Sequence, residues 1–195
     1  MNLEKLLEFN KLLLSFREVE RVLFVKGKDE RENDVEHSFQ LAFLGWYIAS
    51  SNGLILKIDL IIKYALAHDL VEVYAGDTDV FTKDLSLHAN KHEREQRALE
   101  RIQKEFPEFT ELHSIIEGYE KREDTESKFV YALDKLVPAL NIYEDGGRTW
   151  SQRGITFEML MTEKISKVAV SPEIDAYFQE FKKILEENKT KLFAE

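Results

Sequence analysis

The run ALAHDLVEVYAGD, residues 65–77, sets His68, Asp69 and Glu72 within five positions of a stretch that otherwise reads as the apolar face of a buried helix. Two further segments share the anomaly. His37 lies on a helical stripe with Leu41, Leu44 and Ile48, and Asp134 falls between Val130 and Val137, its i−4 and i+3 neighbours, in KFVYALDKLVPAL. A carboxylate taken out of water alone is very costly, so a buried one is paired or bound to a metal. Two imidazoles and two carboxylates can satisfy one another around one dication, and that donor set suits Mn, Fe, Co, Ni or Zn without choosing among them. The expectation is one divalent transition metal held by His37, His68, Asp69 and Asp134.

Taken singly, each residue has an ordinary reading: His37 as a hydrogen-bonded core histidine, Asp69 as a partner of Lys63 or Arg94, and Asp134 as a partner of charges around Lys135. The same anomaly on three separate helices favours a shared ion. Glu72 follows His68 by one helical turn, so both side chains project to one side. His88 and His92 also have the i,i+4 spacing of a chelating pair, but their segment is strongly charged and reads as a solvated helix face. Phe43, Trp46 and Tyr47 read as core or as a dimer seam rather than as a base-stacking platform. His113 receives no role.

The elements that must position these groups are helical. Only 3 prolines and 8 glycines occur, few for a β-rich or loop-rich chain. Leu3, Leu6, Leu7, Phe9, Leu13 and Leu14 mark a first amphipathic segment. Asp34 is placed as the cap of a second helix that ends at Ser51-Asn52-Gly53, and Asp59 as the cap of a third, with the stripe Ile61, Ala65, His68 and Glu72. A loop over 74–84 opens at Gly76. A polar helix over 89–106 turns Ala98 and Ile102 inward until Pro107 breaks it. Helices over 108–119 and 128–143 follow, EDGGRTW turns the chain, and helical segments near 156–167 and 172–190 complete it. No strand alternation, internal repeat or linker stands out. The expected fold is all-α, a single compact multi-helix bundle over residues 1–195.

Composition narrows the partners. With 195 residues, 44% of them hydrophobic, the chain can bury a real core. A formal net charge of −10 argues against broad electrostatic binding to DNA, RNA or anionic membrane, while leaving room for a local basic pocket. The absence of cysteine removes disulfides and thiolate metal sites and fits a cytoplasmic protein. Glu4, Lys5, Glu8 and Lys11 interrupt the apolar start, so no secretory h-region is expected, and no run approaches the ~18 apolar residues of a membrane span.

ENDVEHS (32–38), LAHDLVEVYAGDT (66–78) and ESKFVYALDKLVPAL (126–140) resemble the H…HD…D signature of the HD-domain metal-dependent phosphohydrolases, and within them the branch containing the 5'-deoxynucleotidases. The likeness covers most of residues 10–150 and includes KHERE, EGYEKREDTESKF and NIYEDGGRTW. It implies an HD-domain bundle in which His37, His68, Asp69 and Asp134 are metal ligands. It also makes Glu72 the glutamate poised beside the metal-bound water, and Asp77 a second carboxylate for the water or the substrate's sugar. An arginine upstream of the first histidine grips phosphate in that branch; Arg21 is the nearest counterpart and Arg17 its rival, against the ordinary reading of Arg21 as a solvated helix residue. REVERVLFVKGKDE around Arg21 and TDVFTKD after Asp77 depart from the branch, and both would touch sugar and base.

The implied activity is hydrolysis of (deoxy)nucleoside 5'-monophosphates to nucleoside and phosphate by a homodimer. The alternatives are an HD phosphohydrolase acting on a nucleoside triphosphate or cyclic dinucleotide, and a non-catalytic metal- or nucleotide-binding protein. A short domain favours the small monophosphate, since a larger substrate would want more basic residues near the site. Glu72 argues against the non-catalytic reading, because a structural metal needs no proton carrier.

Overall fold

The computed structural model describes residues 2–82, 86 and 89–194. His88 and the last two residues of the expected loop 74–84 lie outside them. The order is α1 (Leu3–Phe16), β1 (Glu20–Phe24), β2 (Arg31–Asn33), α2 (Asp34–Ser51), α3 (Ile58–Ala67), α4 (Glu72–Ala75), α5 (Lys91–Glu105), α6 (Thr110–Lys121), α7 (Thr125–Glu144), α8 (Arg148–Arg153), α9 (Phe157–Val168), α10 (Pro172–Glu187) and α11 (Lys189–Leu192). The fold is all-α with one small two-stranded ribbon.

The core is built around α7, whose Phe129, Val130, Ala132, Leu133, Leu136 and Val137 are all buried. α2 and α3 pack on it and on each other. Gly45 permits their close approach, since a Cβ there would stand 2.8 Å from Cγ2 of Ile61. Pro138 sits inside α7 and has no N–H to return to the carbonyl of Asp134, one turn earlier. Among the described residues, no helix is long and apolar enough to cross a membrane.

Several local expectations are corrected. The cap of α2 is Asn33, which forms a capping box with Glu36: the Asn33 side chain accepts from the Glu36 amide at 3.0 Å, and the Glu36 carboxylate accepts from the Asn33 amide at 3.1 Å. Asp34 is thereby released from capping and is fully buried. Lys57, not Asp59, precedes α3. The run from Ala65 to Ala75 is not one helix; α3 stops at Ala67 and α4 begins at Glu72, with the intervening bend carrying His68 and Asp69. Leu12 and Phe16 form the inward face of α1, whereas Leu3, Leu6, Leu7, Leu13 and Leu14 are exposed. Phe43, Trp46 and Tyr47 are likewise exposed rather than core. EDGGRTW does turn the chain, through Gly146 and Gly147 at positive φ, and then enters α8.

The ribbon is the element with no sequence signal. Its strands pair antiparallel, Glu20 with Asn33 and Phe24 with Arg31. Strands this short are marginal alone, and this pair is held from outside. The Gly27 amide donates to Asp145 at 2.8 Å, the Phe24 amide donates to the Thr149 hydroxyl at 3.4 Å, and the Arg31 and Arg148 guanidinium groups stack on the Phe24 ring at 3.8 and 4.1 Å.

Candidate metal centre

His37 projects from the first turn of α2, His68 and Asp69 from the bend after α3, and Asp134 from the middle of α7. Each offers one ligand atom, and these four atoms lie within 4.8 Å of one another. His37 Nε2 is 3.0 Å and His68 Nε2 3.7 Å from Asp134 Oδ1, and His68 Nε2 is 2.9 Å from Asp69 Oδ2. His68 Nδ1 donates to the Ala65 carbonyl at 2.9 Å, which assigns the proton to Nδ1 and leaves the Nε2 lone pair facing the cluster. That Nε2 is buried without a hydrogen-bond partner despite the nearby carboxylate. A lone pair and an anionic oxygen at this range repel unless a cation lies between them, so the donor set fits a divalent ion.

The cluster is fastened from behind. Asp134 turns Oδ1 towards the histidines, while its Oδ2 accepts from the Tyr119 hydroxyl at 2.9 Å and from Lys135 Nζ at 2.6 Å. Glu32 Oε1 stands 3.5 Å from His37 Nδ1, and the other Glu32 oxygen accepts from Asn141 at 2.8 Å. Burial alone would raise the Asp134 pKa, but the Lys135 ammonium, the bond from His37 and the nearby His68 hold it well below the ordinary carboxylate range. Burial opposes charge on His68 too, yet Asp69 and Asp134 outweigh it and push that imidazole up to about 10.

Glu72, at 3% exposure, stands beside the cluster with Oε2 unpartnered. A carboxylate oxygen each from Asp34, Asp69 and Glu72 fall within 4.8 Å of one another. Burial, then the charges of Asp69, Asp77 and Asp34, raise the Glu72 pKa well above the usual value. Asp34 is pushed up to about 7 by burial and Asp69, against the pull of Arg21. Arg21 lies in β1, not on a solvated helix face. Its Nη1 donates to Asp69 Oδ2 at 2.9 Å and to Asp34 Oδ1 at 3.1 Å, and its Nε is 3.4 Å from Glu32. Arg17 is exposed. The sequence alternatives for Asp69 go elsewhere: Lys63 pairs with Glu111, and Arg94 donates to the Ala75 carbonyl and the Thr78 hydroxyl.

Residues 14–187 match a protein family described as the HD domain. The chain belongs to the HD-domain family. Among solved structures it is similar to one from Magnetospirillum magnetotacticum MS-1 described as a predicted metal-dependent phosphohydrolase. The two share 27% identity over 99% of this chain and 96% of that one, with a TM-score of 0.82. It also shares the fold of a conserved hypothetical protein from Pyrococcus furiosus at 24% identity, over 89% of this chain and 97% of that one, with a TM-score of 0.65. No curated protein matches it.

Two openings flank the centre of this HD domain. His68 and Asp69 line a cleft of about 440 Å³. That cleft also receives Lys91, Arg122, Lys135 and Lys167, so the surroundings hold more basic groups than the sequence suggested. Arg21 and Asp77 line a second cavity, of about 90 Å³, which shares Thr78 and Val80 with the cleft; burial raises the Asp77 pKa. Glu32, Asp34, Tyr119 and Lys135 are the site residues that reading the sequence misses. A signal existed only for the first two, which lie in ENDVEHS beside His37. His92 is exposed on α5, as its charged segment suggested.

Proposed function

We propose that this HD domain is a metal-dependent phosphohydrolase that removes the 5'-phosphate of a (deoxy)nucleoside monophosphate. The observation that carries the reading is Glu72: a buried carboxyl group with raised proton affinity and a free oxygen, set beside a cluster of metal-type ligands. A purely structural ion would have no use for such a neighbour. A divalent ion held by His37, His68, Asp69 and Asp134 would supply Lewis acidity, neutralising phosphoryl charge and acidifying water. Glu72 accepts a proton from the attacking water and returns one to the leaving oxygen. Asp77 orients water or sugar from the rim. Arg21, whose planar donors suit a phosphoryl group, trades part of its carboxylate contacts for the substrate.

One observation favours a second reading, a triphosphate or other phosphoester: the four basic residues of the larger cleft. Three of them are already engaged, Lys91 by Glu95 at 3.3 Å, Lys135 by Asp134 at 2.6 Å and Lys167 by Glu163, which supports the smaller substrate. Metal-reconstituted protein should be screened for phosphate release from monophosphates, triphosphates and cyclic dinucleotides, with Glu72→Gln as control. Release confined to monophosphates is expected; release from triphosphates alone transfers the conclusion to the second reading, and no release from any refutes both.

We also infer a homodimer, seated on α2. Phe39, Phe43, Trp46 and Tyr47 are 47–65% exposed and form one aromatic row along a single helix, a surface that can face its own copy across a two-fold axis. Phe43→Glu should give a monomer by light scattering, and an unchanged mass would remove α2 from the interface. A cytoplasmic location accompanies this reading.

A further inference from the structure

The smaller cavity is lined by a cationic residue that the chemistry above does not use. Lys164 lies on α9 one turn after Leu160, and both line the cavity together with Arg21 and Asp77. Lys164 is 6% exposed, and no described residue forms a hydrogen bond or ion pair with it. The charges it senses are spoken for: Asp134 is bonded by His37, Tyr119 and Lys135, and Glu163 by Lys167. The other cations of the cavity are compensated, Arg153 by Asp79 and Arg21 by Asp34 and Asp69.

A buried ammonium without a counter-ion is costly, so a chain that keeps one has a reason to hold it ready. Burial and the neighbouring charge of Lys135 bring its pKa down to about 8, which still leaves it mostly protonated at neutral pH. A cavity of about 90 Å³ has room for a tetrahedral oxyanion or a few waters, but not for a nucleoside. Its wall begins at Arg21, which is bonded to Asp69 of the cluster, so an anion seated there adjoins the reacting centre.

We propose that Lys164 is a substrate-binding residue: across the small cavity from Arg21, its ammonium donates to an oxygen of the substrate's phosphate group. This rests on the phosphohydrolase reading and deepens it. The phosphate is then gripped by two cations of different kinds, a planar fork from the ribbon and a point charge from α9. The nucleoside is left to extend into the larger cleft.

Inorganic phosphate is the probe. Its affinity for the metal-loaded protein, measured by calorimetry, should fall at least tenfold in Lys164→Met. The variant should melt no lower than the wild type, because it removes a buried uncompensated charge. Without any mutation, amine acylation followed by peptide mass spectrometry should show that phosphate protects Lys164 but not the exposed Lys28. Equal phosphate affinity in both proteins, no binding by the wild type, or no protection of Lys164 overturns the inference. The two readings fail separately. Lys164-dependent phosphate binding without cleavage of any phosphoester removes the enzyme and keeps the anion site. Cleavage with phosphate affinity indifferent to Lys164 does the reverse.

Discussion

Replacing Tyr119 with phenylalanine removes one oxygen atom and tests whether Asp134 is a ligand held in place from behind. The hydroxyl donates to Asp134 Oδ2 at 2.9 Å inside the core, leaving Oδ1 to face His37 and His68. A hydrogen bond to a charged acceptor contributes about 1.5–3 kcal/mol. Lys135 still donates to the same oxygen at 2.6 Å, so the lower end applies. At about 1.4 kcal/mol per decade, metal affinity should fall about tenfold, the small end of the range for outer ligands of metal sites. The phenyl ring keeps its edge contact with His68, whose centroid is 5.2 Å away, so packing is preserved. Competition with a chromophoric chelator, using Mn or Zn, measures the change. If Tyr119→Phe holds metal as tightly as the wild type, Asp134 is not a ligand oriented by this hydroxyl.

Glu72→Gln keeps shape and burial while abolishing proton transfer, so kcat should drop by about 10² to 10⁴ with metal content unchanged by elemental analysis; parallel loss of metal would make Glu72 a ligand instead. Gly147→Ala should destabilise the fold by about 3 kcal/mol in urea titration, since φ is +78° and a side chain there meets the backbone of Leu192; a loss below about 1 kcal/mol would show that this contact yields easily. Lys164→Met should raise stability at neutral pH by on the order of 3 kcal/mol. The folded-state pKa of Lys164, about 8, lies below the 10.5 of the unfolded chain, so between those values the unfolded state binds more protons and wild-type stability rises with pH. The variant's advantage should therefore shrink from pH 8 to 10.5, and an advantage flat in pH would refute the assignment.

What the sequence discloses about this site follows from how each residue sits in its element. His37 and Asp134 are legible because they interrupt apolar stripes on helices that are real, α2 and α7. Tyr119 is not, because it continues the stripe of Leu112, Ile115 and Ile116 on α6, and only tertiary packing aims its hydroxyl at Asp134. Lys135 escapes because adjacent helical residues diverge, and it reaches Asp134 by folding a long chain back. Asp34 resembles a cap in a row of cap-forming residues, and geometry alone assigns that task to Asn33 and sends Asp34 inward. The ribbon escapes because its order comes from Arg148, Asp145 and Thr149, more than a hundred residues away.

That ribbon meets the metal-type cluster through Arg21, which touches Glu32 at its own base, Asp34 at the head of α2, and Asp69, and through Glu32, which stands 3.5 Å from His37. Whatever changes the charge around Asp69 therefore alters how firmly the hairpin is anchored, and linkage makes the coupling reciprocal. Loosening Phe24 between its two arginines, at the hairpin's far end, would shift ion affinity by the same factor that ion binding shifts hairpin order. Amide exchange along residues 20–33 would report occupancy of the centre without any contact to the ion itself.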